Sequence, residues 1–248
     1  MNTLLLFDLD GTLVISEGAG RRAIIRAFGT LYGSGSDWAS LNTAGRTDTA
    51  IFAAMLCEIG RDPAEAWSPA LWETYFRFLE DEVGRRPGRL APGVRELLDY
   101  CRPARGLFAA LGTGNLERGA RIKLEPHGIN DRLPVGGFGS DAAVRAELVR
   151  IGALRAGAHY GVRFDRVVVV GDTPLDAECA RENGFGAVLV GTGPYSVDAL
   201  ERCGAAAVLP DLRDTGRVLE AVEQAAGASA GPGPAGADSG QGLGEAAG

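Results

Sequence analysis

The sequence predicts an α/β protein, a doubly wound parallel sheet with an α-helical cap domain inserted after its first strand. Two observations predict this fold. Short apolar runs alternate with amphipathic helical patterns along most of the chain, and one long interval near the N-terminus is helical throughout. The strands are expected at residues 3–7, 107–111, 135–138, 167–170, 187–190 and 206–209. The helices between them are expected at residues 94–101, 116–127, 141–160 and 175–183.

The interval 15–89 is expected to form the cap domain. It shows three helical patterns and no strand pattern, with helices expected at residues 17–32, 47–59 and 68–83. Residues 1–14 and 90–224 would then form the α/β core. Residues 225–248 are rich in Ala, Gly, Ser and Pro and contain few large apolar side chains, so a disordered tail is expected there.

Charge and cysteine content limit the partners of the 248-residue chain. Its net charge of −7 argues against a nucleic-acid or anionic-membrane binder. The first apolar run ends at Asp8, and no stretch approaches the roughly 18 apolar residues of a membrane span. The four cysteines are scattered without a Cys-x-x-Cys pair. We therefore expect a cytoplasmic monomer or homodimer without a nucleic-acid or membrane partner.

Two acids, Asp8 and Asp10, follow the first predicted strand two positions apart. On an extended backbone they point to the same side, where their charges repel each other unless a cation lies between them. Mg²⁺ prefers oxygen ligands and keeps waters and phosphate oxygens around it, which suits this pair. Gly11 permits the backbone to turn, and Thr12 offers a hydroxyl and an amide to a phosphate.

A second group of polar residues follows the predicted strand at 107–111. Thr113, Gly114 and Asn115 come directly after it and open a helix. Backbone amides at the start of a helix, together with a hydroxyl, form a natural cradle for phosphate. This segment is therefore a candidate substrate-binding loop.

A third group follows a run of four valines that is typical of a buried central strand. Asp172 leaves the end of this run, and Asp176 lies in the first turn of the next helix. Ligands of such sheets bind beyond the carboxyl ends of the strands, where the loops converge. Asp172 and Asp176 are therefore expected to join Asp8 and Asp10 around the metal.

Two basic residues are candidates for contacting a phosphorylated ligand. Lys123 is the only lysine among 25 Lys and Arg residues, and it lies on the helix that follows Asn115. From there it could neutralise Asp8 and a bound phosphoryl oxygen together. Arg46 opens a cap helix and is the candidate selectivity residue for a distal carboxylate or phosphate, the alternative being a surface arginine at a helix start.

With these residues assembled, the chain resembles the haloacid dehalogenase-like (HAD) hydrolase superfamily over residues 3–212, in its phosphoglycolate-phosphatase-like branch with a helical cap. The matching residues are Asp8-Leu9-Asp10-Gly11-Thr12 for the first family motif, Thr113 for the second, and Gly171-Asp172 with Asp176 for the fourth. The resemblance implies a Rossmannoid core. It also implies a Mg²⁺-dependent phosphomonoester hydrolase that acts on a small phosphorylated metabolite through an aspartyl-phosphate intermediate.

The resemblance implies a role for each of these residues. Asp8 would be the nucleophile, and Asp10 would protonate the leaving alcohol and then activate the hydrolytic water. Mg²⁺ would be bound by the Asp8 carboxylate, the Asp10 carbonyl and Asp172. Asp176 would hold a metal-bound water, and Thr113 would donate to a phosphoryl oxygen. Haloacid dehalogenases proper lack the second aspartate, so Asp10 favours phosphate over halide.

The chain departs from the family at the third motif. Many relatives carry a lysine just after the third strand, but residues 137–141 contain none. Lys123, from the preceding helix, is the expected replacement, and Arg145 is the fallback. Three other functions stay open: a phosphomutase of the β-phosphoglucomutase type, a receiver-like signalling module, and a phosphate-binding protein without turnover. Phosphoglycolate, sugar phosphates and nucleotides all stay open as substrates.

Overall fold

The structure, a computed structural model, describes residues 1–33, 38 and 41–228. Its strands are β1 (Thr3–Phe7), β2 (Val14–Ile15), β3 (Arg89–Leu90), β4 (Leu107–Thr113), β5 (Gly136–Phe138), β6 (Arg166–Gly171), β7 (Gly186–Val190) and β8 (Ala207–Leu209). Six of these strands form one parallel sheet in the order β5-β4-β1-β6-β7-β8. This is the strand order of a doubly wound α/β fold, and it confirms the predicted fold class.

Nine α-helices are found in the described part of the chain. They are α1 (Ala19–Tyr32), α2 (Asp48–Glu58), α3 (Pro69–Arg85), α4 (Val94–Tyr100), α5 (Glu117–Leu124), α6 (Arg145–Tyr160), α7 (Pro174–Glu182), α8 (Val197–Glu201) and α9 (Thr215–Ala228). Apolar residues of α4, α5 and α9 pack on one face of the sheet, and those of α6, α7 and α8 pack on the other. None of the helices in the described residues is long and apolar enough to cross a membrane.

Strand β1 is buried at the centre of the sheet, between β4 and β6. Leu5 is in register with Ala109 on one side and with Val168 on the other. Side chains alternate along the strand, so that Leu4 packs with the layer of α6 to α8 and Leu5 packs with the opposite layer. Burial on both faces explains why the sequence of β1 is apolar without a break.

The helices α1, α2 and α3 form an insert with an apolar core of its own, in which Phe28, Phe52 and Tyr75 are fully buried or nearly so. At its base, β2 pairs antiparallel with β3, with Val14 opposite Leu90. The sequence pattern did not predict this two-residue pairing, because so short a segment shows no periodicity. The assignment of residues 15–89 as a separate cap domain stays a prediction.

The C-terminal helix α9 corrects the predicted start of the tail. The tail was expected from residue 225, but α9 continues to Ala228, and Ala225 and Ala226 are buried. A Cβ at Gly186 of β7 would lie 2.6 Å from the carbonyl oxygen of Ala225. Small residues at this position therefore serve close packing between helix and strand. The rest of the predicted tail, residues 229–248, lies outside the described residues.

Helix α6 begins at Arg145, four residues later than the predicted start at Asp141. The Asp141 carboxylate instead accepts a hydrogen bond from the Phe138 amide at 2.9 Å and forms an ion pair with Arg155. Asp141 thereby holds a turn between β5 and α6. A short polar side chain that accepts a nearby backbone amide is typical of such turns.

Strand β5 lies so close to α6 that a side chain at Gly137 has no room. A Cβ there would overlap the carbonyl oxygen of Leu148 and lie 2.8 Å from the amide nitrogen of Gly152. We expect Gly137→Ala to lower the free energy of unfolding by about 2–4 kcal/mol, measured by urea denaturation. The matched control is Gly84→Ala in α3, where a Cβ meets nothing within 4 Å. That substitution should raise the stability by up to about 1 kcal/mol. Equal effects of the two substitutions would contradict this packing.

Candidate active site

Asp8 is the first residue after β1, and it is buried. Its backbone amide donates to the Val170 carbonyl at 2.9 Å, which continues the ladder between β1 and β6. The Oδ1 atom of its carboxylate lies 2.8 Å from Nη2 of Arg145. Burial raises the pKa of Asp8 to about 6, because the charge of Arg145 offsets desolvation only in part and the charge of Asp176 adds to it.

Asp172 and Asp176 lie beside Asp8, and one carboxylate oxygen from each of the three acids falls within 4.8 Å of the others. Burial, followed by the charges of Asp8 and Asp176, raises the pKa of Asp172 to about 9. The Thr12 hydroxyl donates to Asp172 Oδ1 at 3.1 Å. Thr12, predicted to offer its hydroxyl to phosphate, therefore donates to an acid of this cluster.

Arg145 is the cation in contact with this acid cluster. Its Nη2 lies 2.5 Å from Asp176 Oδ1 as well as 2.8 Å from Asp8, and its Nη1 donates to the Gly45 carbonyl at 3.1 Å. The side chain is only 9% exposed, so solvent screens these contacts little. A planar guanidinium suits such bridging between carboxylates better than an ammonium does.

Asp176 also stabilises the start of α7. Its Oδ2 accepts from the backbone amide of Thr173 at 3.0 Å and from the Thr173 hydroxyl at 2.7 Å. The bond from the amide of the capping residue to the side chain of the third helical residue is the one that characterises a capping box. One oxygen of Asp176 thus fixes the helix, and the other faces Arg145.

Asp10 lies among hydrogen-bond donors rather than in the acid cluster. Its Oδ2 accepts from Lys123 Nζ at 2.5 Å and from Asn115 Nδ2 at 2.8 Å, and its Oδ1 accepts from the Ser16 hydroxyl at 2.7 Å. Desolvation would raise its pKa, but the ion pair with Lys123 and these hydrogen bonds hold the pKa of Asp10 below its ordinary value. Lys123, expected to neutralise Asp8, therefore pairs with Asp10.

The segment after β4 surrounds Lys123 and Asp10. Lys123 Nζ donates to Asn115 Oδ1 at 2.6 Å, and Asn115 Nδ2 donates to the Thr113 hydroxyl at 3.0 Å. Because the Thr113 oxygen acts as acceptor there, its proton can still be donated to a ligand. A Cβ at Gly114 would overlap the Arg46 carbonyl oxygen, so only glycine lets the insert approach this closely.

A cavity of about 520 Å³ adjoins these residues and is shared by the core and the insert. The predicted site residues that line it are Asp8, Asp10, Gly11, Arg46, Gly114, Asn115, Lys123 and Asp172. Gly11 has a φ of +87°, as the sharp turn after Asp10 requires. Arg46 Nη2 donates to the Ala50 carbonyl at 3.2 Å within α2. The structure thus places Arg46, which precedes α2, around one space with Gly11, Gly114 and Asn115, whereas the predicted site residues Thr12, Thr113 and Asp176 do not line it.

The acid cluster fits a hard divalent cation. Among the described residues, the three buried carboxylates lie beside the guanidinium of Arg145, and burial together with the charges of Asp8 and Asp176 raises the pKa of Asp172. Oxygen ligands at this spacing suit Mg²⁺. The Asp10 carboxylate is not part of this group. The binding of Mg²⁺ by the Asp10 backbone carbonyl stays a prediction.

Two residues near the cavity were not selected from the sequence. Ser16 donates to Asp10, and Asp48 accepts a hydrogen bond from the Leu116 amide at 2.9 Å. Asp48 lies two residues after Arg46, the candidate selectivity residue. Its neighbours in the sequence could therefore have indicated it, whereas no pattern marks Ser16.

Comparison with known proteins identifies the family. The model of the haloacid dehalogenase-like hydrolases matches residues 5–181, which is most of the chain. The chain belongs to the haloacid dehalogenase-like hydrolases. A second, HAD-hydrolase-like model matches residues 149–215. The predicted family and the assignment as a HAD-like hydrolase enzyme are confirmed.

Individual relatives of this HAD-like hydrolase agree with that assignment. “Probable phosphatase IndB” of Dickeya dadantii is 27% identical over 202 residues, which are 81% of this chain and 86% of the relative. A structure of a predicted phosphatase from Clostridium acetobutylicum is similar with a TM-score of 0.66 and 19% identity, over 88% of this chain and 98% of the other. The structure of CbbY from Rhodobacter sphaeroides in complex with phosphate is similar with a TM-score of 0.64 and 20% identity, over 87% of this chain and 97% of the other.

The raised pKa of Asp172 gives the stability a definite pH dependence. Without a divalent cation, Asp172 of the folded protein has a pKa of about 9 and therefore keeps its proton near neutral pH. In the unfolded chain Asp172 has lost this proton. The free energy of unfolding should therefore fall as the pH rises from about 6.5 to about 8. Mg²⁺ should restore more stability at the higher pH, since its ligands must be deprotonated.

Urea unfolding at several pH values, with EDTA or with Mg²⁺, measures both trends. Asp172→Asn is the control, because an amide cannot titrate, and this substitution should flatten the pH dependence in EDTA. A wild-type stability that rises across this pH range in EDTA would contradict the assignment to Asp172.

Proposed function

We propose that this HAD-like hydrolase is a Mg²⁺-dependent phosphomonoester hydrolase, which acts on a small phosphorylated metabolite through an aspartyl-phosphate on Asp8. The observation that carries the proposal is the placement of Asp8. It lies at the carboxyl end of the central strand and lines the cavity, with Arg145 on its carboxylate and two further acids within 4.8 Å. With a pKa of about 6, Asp8 is mostly ionised at neutral pH, as a nucleophile must be.

The reaction takes two steps. First, a carboxylate oxygen of Asp8 attacks phosphorus, the bond from phosphorus to the ester oxygen breaks, and Asp10 gives its proton to that oxygen. Second, water attacks the phosphorus of the aspartyl-phosphate, the bond to Asp8 breaks, and Asp10 takes a proton from the water. Inorganic phosphate leaves, and both acids return to their starting forms.

Positive charge around the phosphoryl group comes from several sources. Mg²⁺ held by the Asp8 carboxylate, the Asp10 carbonyl and Asp172, with Asp176 on a metal-bound water, would supply a positive charge beside the phosphoryl oxygens. Arg145 keeps Asp8 and Asp176 from repelling each other. Phosphoryl transfer depends mainly on such positioning and charge neutralisation.

Lys123 controls the protonation of Asp10. By favouring the carboxylate form, it prepares Asp10 to take a proton from water in the second step. A phosphate dianion bound beside Asp10 raises its pKa, since like charges disfavour ionisation, and so favours the acid form for the first step. We therefore propose Lys123 as the partner of Asp10, and Arg145 as the third-motif charge.

The insert of α1 to α3 would act as the cap. It contributes Arg46 to the cavity, where the guanidinium can bind a second anionic group of the substrate. Thr113, Gly114 and Asn115 would hold the phosphoryl group from the core side, with the turn at Gly11 and Thr12 completing the site. A phosphomutase would use the same core and would differ in returning the phosphoryl group to the substrate.

Asp8→Asn is the test of the proposed function. An amide cannot attack phosphorus, so we expect loss of turnover by a factor of roughly 1000 or more with every substrate. The measurement is phosphate release from a panel of phosphometabolites, with and without Mg²⁺. The matched control is Asp62→Asn, which changes an exposed aspartate of the insert and should leave turnover unchanged.

Two results of this panel would contradict the proposal. One is a turnover by Asp8→Asn above a few per cent of the wild-type rate. The other is conversion of sugar phosphates into isomers without net phosphate release, which would identify a phosphomutase.

Lys123 and Arg145 can be separated by substitution. Lys123→Met removes the ion pair of Asp10, so the pKa of Asp10 rises and the limb of the pH–rate profile set by Asp10 should move to higher pH. Arg145→Lys keeps a charge but loses the bridge between Asp8 and Asp176, so kcat should fall by roughly 10- to 1000-fold.

The control for both variants is Arg61→Met, which breaks an exposed ion pair with Glu65 and should change neither quantity. If Arg145→Lys moved the Asp10 limb and Lys123→Met did not, the two roles would be reversed.

A further inference from the structure

Asp48 is a buried acid that the proposed mechanism does not use. It is the first residue of α2, in the insert, and its side chain is nearly inaccessible to solvent. An acid in such a position is costly unless its oxygens are hydrogen-bonded. The bonds that Asp48 makes therefore indicate what it does.

Asp48 bonds twice to the core segment that carries Thr113 and Asn115. Its backbone amide donates to the Gly114 carbonyl at 2.7 Å, and its Oδ2 accepts from the Leu116 amide at 2.9 Å. Leu116 is the residue before α5, and a leucine side chain cannot accept a hydrogen bond from the first turn. The insert thus supplies a side-chain acceptor for the amide that precedes the core helix, at an N-terminus where a negative charge is also favoured.

The residues around Asp48 bond to both catalytic loops at once. Thr47 donates its hydroxyl to the Ala143 carbonyl at 2.9 Å, and Thr49 donates to the Gly139 carbonyl at 3.0 Å. Gly139 in turn donates its amide to the Asn115 carbonyl at 2.8 Å. The start of α2 is therefore bonded to the loop after β4 and to the loop after β5.

The positive charge of Lys123 acts on both Asp48 and Asp10. Burial raises the pKa of Asp48 to about 6, while the positive charge of Lys123 opposes this rise and the charge of Asp10 adds to it. Helix α1 closes on the same lysine, since a Cβ at Gly20 would lie 2.9 Å from Lys123 Nζ. The insert therefore surrounds the ammonium group that binds Asp10.

We propose that Asp48 is a positioning residue, which fixes the segment 114–116 and, through Asn115 and Lys123, holds Asp10 in its working position. This inference rests on the proposed function and assigns part of the acid–base geometry to the insert. Asp48 acts through its bond to Leu116, so its loss should slow the chemical step more than it weakens substrate binding.

The experiment compares Asp48→Ala with Asp48→Asn, using p-nitrophenyl phosphate and Mg²⁺. Asp48→Ala loses the acceptor for the Leu116 amide, and its kcat should fall by roughly 10- to 100-fold, with KM within about threefold of wild type. Asp48→Asn keeps a carbonyl oxygen at that place and should recover kcat to within about fivefold of wild type.

The matched control is Asp62→Ala, also in the insert. Asp62 accepts from the Ala64 amide at 2.9 Å at the start of a short helix, so it makes the same kind of bond far from the cavity lining. Its kcat should stay at the wild-type value. This control separates positioning from general loss of a helix-capping bond.

Three results would overturn the proposal. In Asp48→Ala, a kcat above half the wild-type value would do so, as would a raised KM at unchanged kcat, which would make Asp48 a substrate contact. An Asp48→Asn variant as slow as Asp48→Ala would remove the role given to the Leu116 bond. If Asp48→Ala fails to fold, Asp48→Asn alone decides, because the kcat of Asp48→Asn must stay within about fivefold of the wild-type value.

Amide exchange separates this inference from the proposed function. Peptides covering residues 110–124 should exchange faster in Asp48→Ala than in wild type or Asp62→Ala, whether or not the protein turns over a phosphomonoester. An inactive wild type with this faster exchange would refute the phosphatase assignment alone. An active wild type with unchanged exchange in Asp48→Ala would refute the role of Asp48 alone.

Discussion

The interaction on which the site depends is the repulsion among Asp8, Asp172 and Asp176 at the carboxyl ends of β1 and β6. Three buried carboxylates lie within 4.8 Å of one another beside the guanidinium of Arg145, and burial, with the charges of Asp8 and Asp176, raises the pKa of Asp172 to about 9. The parallel sheet creates this situation because it brings separate loops to one edge. Buried carboxylates this close together favour the binding of a cation.

The two buried cations of the site divide the acids between them. Arg145 bridges Asp8 and Asp176, whereas Lys123 holds Asp10 away from them in a shell of hydrogen bonds. The contacts of Arg145 reduce the repulsion between Asp8 and Asp176, and the contact of Lys123 lowers the pKa of Asp10. The two carboxylates after β1 therefore differ in pKa, raised for Asp8 and lowered for Asp10. Unequal environments of this kind are what the roles proposed for Asp8 and Asp10, nucleophile and acid–base residue, require.

Strand and helix periodicity was enough to predict the sheet, and residue chemistry at strand ends was enough to select Asp8, Asp10 and Asp172. The partners of the two cations could not be read in the same way. Lys123 and Arg145 both lie on helices after the relevant strands, and only the packing of α5 and α6 decides which acid each one meets. The burial of Ala225 likewise depends on a tertiary contact that composition does not reveal.

The start of α2, in the insert, bonds to main-chain atoms of the core. The carbonyl oxygens of Gly114, Gly139 and Ala143 accept its hydrogen bonds, and each of these acceptors exists whatever side chain the residue carries. Of the three, Ala143 can change its side chain and keep the acceptor, whereas a Cβ at Gly114 would overlap the Arg46 carbonyl oxygen and one at Gly139 would overlap the Gly114 carbonyl oxygen. The Arg46 side chain, which lines the cavity, takes no part in these three bonds, so the insert can change the charge that it presents to the cavity without losing this attachment.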